Sequence, residues 1–170
     1  MLSPELLTNS IFVKLALGFG LGAVIGVLAW RANSLSGSGA WAATITGGLV
    51  FGLGGLPWAV LLIAFFASSS ALSRAFAMRK AAINEKFSKG HRRDWGQVLA
   101  NGGLGALLAL AHGLLPDAFW PWVAFAGAMA AVNADTWATE LGVLSPTHPR
   151  LISSGAQVEP GTSGGVTLVG

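Results

Sequence analysis

The run from Ile11 to Trp30 holds 20 residues and a single charge, Lys14. At ~1.5 Å of rise per residue a helix of that length covers a hydrocarbon core of ~30 Å. A membrane-spanning helix is therefore the element to which the rest of the chain must adapt. Composition agrees: 53% of the residues are hydrophobic and 10% charged, against roughly 25% charged in an average soluble domain. A water-soluble domain of this length needs far more polar surface to cover its core. The run does not read as a cleavable signal peptide, because Met1 to Ser10 contains Glu5 and no Lys or Arg where such a signal needs a basic start.

Four more apolar runs follow. Ala40 to Gly55 and Pro57 to Leu72 are separated by Gly54-Gly55-Leu56-Pro57, a strong helix break, and form either two spans or a re-entrant pair. Val98 to Leu115 and Phe119 to Leu144 are parted by Pro116-Asp117. The fold class expected is all-α: a polytopic transmembrane helical bundle, one integral membrane domain over 1–170, with about five segments at 11–30, 40–55, 57–72, 98–115 and 119–144. The 24 glycines follow no collagen-type period and suit helices packed backbone to backbone in lipid. Val166 to Gly170 opens a further apolar stretch, so at least one more span is expected beyond it.

Seven of the ten basic residues lie in one loop, 74–96: Arg74, Arg79, Lys80, Lys86, Lys89, Arg92 and Arg93. Basic residues of short loops are retained in the cytosol. If the loop is cytosolic and every run spans, Arg31 and Arg150 are cytosolic too, and Lys14 snorkels from the first span. The N-terminus then lies outside, and residues 145–170 lie in the cytosol.

With no cysteine, disulfides, thiolate nucleophiles and Cys-ligated zinc are excluded, and any metal must bind oxygen or His. His91, His112 and His148 are too scattered for a zinc site. The residues that demand a reason are Asn133, Asp135, Thr136, Thr139 and Glu140, at the end of an apolar run where carboxylates are costly. At about 100° per residue they fall on one side of a helix, with Ala134, Ala138 and Leu141 on the other. They read either as a solvated helix end or as a hard-oxygen site of the kind Mg²⁺ accepts with phosphate oxygens. In the basic loop, Arg92 and Arg93 either anchor to anionic headgroups or clamp phosphate bidentately. Asp94 and Gln97 resemble a helix capping box. Asn101-Gly102-Gly103 offers either a close approach for a ligand or helix packing. Gly161-Thr162-Ser163-Gly164-Gly165 offers either backbone N–H groups to an anion or a plain turn, and it lacks the Lys of a P-loop. Ser68-Ser69-Ser70 reads as interhelical hydrogen bonding.

Four stretches carry a resemblance: Phe65 to Arg74 (FFASSSALSR), Arg93 to Gly103 (RDWGQVLANGG), Asn133 to Gly142 (NADTWATELG) and Pro160 to Gly165 (PGTSGG). In order and kind they resemble the integral-membrane family of transmembrane protein 19 and plant plastid phytyl-phosphate kinase. The resemblance implies phosphorylation of an isoprenyl monophosphate to the diphosphate, with a nucleoside triphosphate donor for which CTP is the candidate. Such a reaction needs Mg²⁺, cations on the phosphates and alignment more than covalent chemistry. The expected roles are therefore catalysis and metal binding for Asp135 and Glu140, phosphate binding for Arg92 and Arg93, and positioning of substrate or nucleotide for Asn101, Asn133, Thr162 and Ser163. The partners expected are the bilayer and an isoprenoid lipid phosphate, not nucleic acid. An ion-coupled transporter and a non-catalytic membrane protein are the rival classes.

Overall fold

The computed structural model describes residues 10–77, 92–142 and 144–169. Five helices appear among them: α1 (Ile11–Arg31), α2 (Gly37–Leu49), which continues into a π-helical turn (Val50–Gly54), α3 (Leu56–Ala75), α4 (Trp95–Leu114) and α5 (Trp120–Gly142). Two short strands follow, β1 (Arg150–Leu151) and β2 (Gly165–Val166). The fold is an all-α membrane helical bundle. Among the described residues α1, α3 and α4 are long and apolar enough to cross a membrane. α5 is longer than any of them at 23 residues, but it carries the polar residues from Asn133 to Glu140. The chain divides into two compact units, one of Met1–Phe65 with Arg92–Ala130 and one of Phe66–His91 with Ala131–Gly170.

The first unit is built on backbone contact. Gly18, Gly22 and Gly26 recur every four residues on α1 and are all buried, so they form one stripe. Facing them are Ala40, Thr44 and Gly48 of α2, with Gly52 in the π turn. A Cβ on Gly18 would stand 2.5 Å from the Gly48 carbonyl oxygen and 2.6 Å from the Gly52 nitrogen. On Gly22 it would stand 2.9 Å from the Thr44 carbonyl oxygen, and on Gly26 2.9 Å from that of Ala40. In lipid, where apolar side chains gain little by leaving their surroundings, such close approach supplies the van der Waals energy of association. The outer face of α1 keeps large apolar side chains exposed, among them Phe12, Leu17, Leu21 and Leu28, as lipid contact requires.

Local chemistry sets the helix ends. Gly55 takes φ 75° and ψ −163° after the π turn, a conformation open to glycine. Pro57 then falls in the first turn of α3, where a missing N–H costs little. After α1 the chain reverses through Asn33 at φ 57°, and its next residues pair with the segment entering α4. The Arg93 N–H donates to the Ser34 carbonyl and the Ser36 N–H to the Arg93 carbonyl, both at 2.9 Å, which leaves Leu35 buried. Ser36 caps α2 by accepting from the Gly39 N–H at 3.1 Å, and Asp94 caps α4 by accepting from the Gln97 N–H at 2.9 Å. Asp94 is thus the helix cap that its spacing to Gln97 suggests. Between α3, α4 and α5, still in the first unit, Trp58 packs its ring 4.3 Å from Phe125, 5.4 Å from His112 and 5.6 Å from Trp122.

In the second unit the last turns of α3 meet the second half of α5. Trp137 Nε1 donates to Ser68 Oγ at 3.3 Å, and Ser73 Oγ donates to Glu140 Oε1 at 2.6 Å. Both partners advance toward their C-termini together, so these segments run parallel. β1 and β2 pair antiparallel, Arg150 with Val166 and Leu151 with Gly165.

Candidate functional site

The polar half of α5 resolves into two rows. Asn133, Thr136 and Glu140, spaced i, i+3, i+7, are half-buried, half-buried and buried, with Glu140 only 5% exposed. Asp135 and Thr139, spaced i, i+4, are exposed, and the Thr139 hydroxyl donates back to the Asp135 carbonyl at 2.9 Å. Five residues at 100° each put Asp135 and Glu140 about 140° apart around the helix. The structure therefore does not bring the two carboxylates, expected together as metal ligands, to one face. The single side read from the sequence has a buried half and an exposed half.

Glu140 is the buried member, and α3 supplies its neighbour. The 2.6 Å bond from Ser73 lies in the short range of a hydroxyl donating to a carboxylate. One turn earlier Ser69 is fully buried, and its Oγ has no hydrogen-bond partner. Ser70 is buried as well, while Ser68 makes the bond to Trp137, an interhelical hydrogen bond of the kind its sequence suggests. Ser73 is the residue that sequence reasoning missed. The signal was available: Ser69, Ser70 and Ser73 stand at i, i+1, i+4, one face of a helix, inside a stretch already singled out.

The other expected site residues lie elsewhere. Arg92 is exposed and Arg93 half-buried in the first unit, where the Arg93 main chain is committed to Ser34 and Ser36. Asn101-Gly102-Gly103 lies inside α4. Gly102 is buried, and a Cβ there would meet Thr46 at 3.9 Å, ordinary contact, so this motif packs helix on helix. In the second unit Thr162 donates to the Glu159 carbonyl at 2.8 Å, between Gly161 at φ 86° and Gly164 at φ 77°. Ser163 is exposed, and β2 rather than a helix follows the turn. Arg79, Lys80, Lys86, Lys89 and His91 lie outside the described residues.

Among the described residues no three His, Asp or Glu side chains gather as a metal cluster. One carboxylate with the Ser73 hydroxyl beside it is instead a sparse hard-oxygen set, of the kind Mg²⁺ accepts when its remaining ligands come from phosphate or water.

Glycine-stripe packing of apolar helices, three of which among the described residues are long and apolar enough to cross a membrane, defines an integral membrane protein. The chain belongs to the family described as Integral membrane protein DUF92, which matches residues 20–170. It is 36% identical over 129 residues to Protein PGR of Arabidopsis thaliana, a match covering 68% of this chain and 45% of that protein. It is 29% identical over 167 residues to the uncharacterized membrane protein MJ0933 of Methanocaldococcus jannaschii, covering 98% of this chain and 68% of the relative. The chain thus spans less than half of the plant relative's length. No solved structure matches it.

Proposed function

We propose that this protein is a phosphotransferase acting on an isoprenyl, phytyl-like phosphate at the cytosolic membrane face, with a nucleoside triphosphate as donor and CTP as the first candidate. The observation that carries the proposal is the buried Glu140 carboxylate accepting from Ser73 between α3 and α5. A carboxylate inside a membrane helix is costly and is kept where it does chemical work. Phosphoryl transfer asks the protein for a cation, charge on the phosphates and alignment, and Mg²⁺ is held by one or two carboxylates completed by substrate phosphates. Glu140 is the residue that would hold it, with Asn133 and Thr136 on the same row to position oxygen atoms. Bound Mg²⁺ supplies charge for the developing phosphoryl oxygens. Asp135, on the other row, serves at the exposed face rather than as a second ligand of the same ion. Thr162 and Ser163, in the same unit as Glu140, keep their assignment to positioning; the assignment of Arg92 and Arg93 to phosphate rests on the sequence alone, and Asn101 belongs to the packing of α2 on α4.

The orientation proposed rests on the basic residues. The Leu35–Arg93 bridge brings the exit of α1, with Arg31, and the entry of α4, with Arg92 and Arg93, to one end of the first unit. By the retention of basic loops that end is cytosolic.

The test is purified full-length protein in lipid nanodiscs with isoprenyl monophosphates, Mg²⁺ and each labelled nucleoside triphosphate in turn. Label should move to an isoprenyl diphosphate, and chelating the metal should stop it. No transfer with any pairing would overturn the proposal.

A further inference from the structure

Ser69 has no part in the reading above. It is fully exposed to neither water nor lipid, with 0% of its surface accessible, and its hydroxyl makes no hydrogen bond. Serine inside a helix ordinarily returns its proton to the carbonyl one turn back, as Thr44 and Thr46 do here to Ala40 and Ala42. A buried hydroxyl that forgoes this bond gives up stability and leaves its two lone pairs available. Ser73 is one turn further along the same face of α3. Its proton goes to Glu140, so its lone pairs too are directed away from that bond.

We propose that Ser69 and Ser73 of α3, with Glu140 of α5, form a cation site in the seam between these parallel helices, taking a small divalent ion of hard-oxygen preference. The charge arithmetic favours it. One carboxylate leaves such an ion with net positive charge, and the neutral hydroxyl oxygens add ligands without cancelling it, so the site holds a cation that still attracts an anionic phosphate oxygen. Asp135 is not a ligand, because it lies on the exposed row. The site deepens the phosphotransferase reading, yet its binding is measured without turnover.

The probe is Tb³⁺, an oxygen-seeking ion whose luminescence is sensitised by a nearby indole. Trp137, bonded to the Ser68 hydroxyl beside Ser69, supplies that indole. Full-length protein in nanodiscs should show sensitised Tb³⁺ emission that Mg²⁺ displaces and that Trp137→Phe silences. Ser69→Ala removes only a hydroxyl without a partner, so the protein should keep its helicity and thermal stability while its Tb³⁺ affinity falls by about 10-fold or more. Ser69→Thr, which retains the oxygen, should restore affinity, and Asp135→Asn should leave it unchanged. Absent emission from the parental protein, or equal affinity in Ser69→Ala and parent, overturns the site. Label transfer at parental rate by Ser69→Ala overturns it too and leaves the phosphotransferase standing. Intact Tb³⁺ binding with no label transfer by the parental protein overturns the phosphotransferase and leaves the site.

Discussion

Glu140 and Asp135 are five residues apart, and their surroundings separate them more than their chemistry does. Glu140 is buried against Ser73, whereas Asp135 is exposed. If Glu140 holds the charge that stabilises the transferring phosphoryl group, Glu140→Gln should cut the rate by on the order of 10²-fold. Membrane insertion should be unimpaired, because an amide is cheaper in lipid than a carboxylate. The measurement is label transfer normalised to the amount of inserted protein, and parental rate in Glu140→Gln would refute the assignment. Asp135→Asn should cost distinctly less than Glu140→Gln under the same assay. Equal losses in the two variants would show that both carboxylates serve one ion despite their helical phase. Arg92→Lys keeps charge but loses the bidentate fork, so it should raise the KM for the phosphate substrate. Activity equal to the parent in the Lys variant, with loss only on removing the charge, would make Arg92 an anchor to anionic lipid.

Among the elements, α1 and α2 make the sharpest case, since their association rests on atoms that are absent. Gly18→Ala introduces a methyl 2.5 Å from the Gly48 carbonyl oxygen, a backbone atom that cannot swing aside. It should destabilise the helix pair by about 1–3 kcal/mol. Gly20→Ala, with nothing within 4 Å of its Cβ, is the matched control and should be neutral or slightly stabilising through helix propensity. Unfolding in detergent by a denaturing surfactant measures both, and equal stabilities would mean that the glycine stripe does not hold α1 to α2. Gly39→Ala tests the second element-level device. Its Cβ would run into the Arg93 carbonyl oxygen, so the pairing of the α1–α2 connection with the entry of α4 should loosen. Faster amide exchange at Ser36 and Arg93 is the expected readout.

For the whole molecule the matter to decide is sidedness. The sequence contains no cysteine, so a single introduced one reports its own position. Ser38 and Asp117 are both exposed and lie near opposite ends of the first unit, at the start of α2 and beyond the end of α4. With the basic end in the cytosol, Ser38→Cys should react only with a membrane-permeant maleimide in intact cells, and Asp117→Cys also with an impermeant one. The reverse pattern would invert the orientation, and labelling of both from one side would deny that α4 spans.

The sequence alone determined the solvent of this protein and two of its helix boundaries, because both follow from local properties. An apolar run of membrane length admits few alternatives in any context. Gly55 before Pro57, and Asp94 three residues before Gln97, mark helix boundaries through backbone chemistry that acts within one turn. The polar residues of α5 were equally visible as a group. What only the tertiary structure decided is which of them face inward, since a 160° arc of polar side chains fits either row until a neighbouring helix covers one of them. At Glu140 that neighbour is α3, and so Ser73, 67 positions away in the chain, becomes the partner of the carboxylate. The same limit explains Asn101-Gly102-Gly103: an amide and two glycines look alike in a ligand-binding turn and in a packed helix, and the presence of Thr46 opposite Gly102 is a fact of the fold, set by helix pairing that no local spacing encodes.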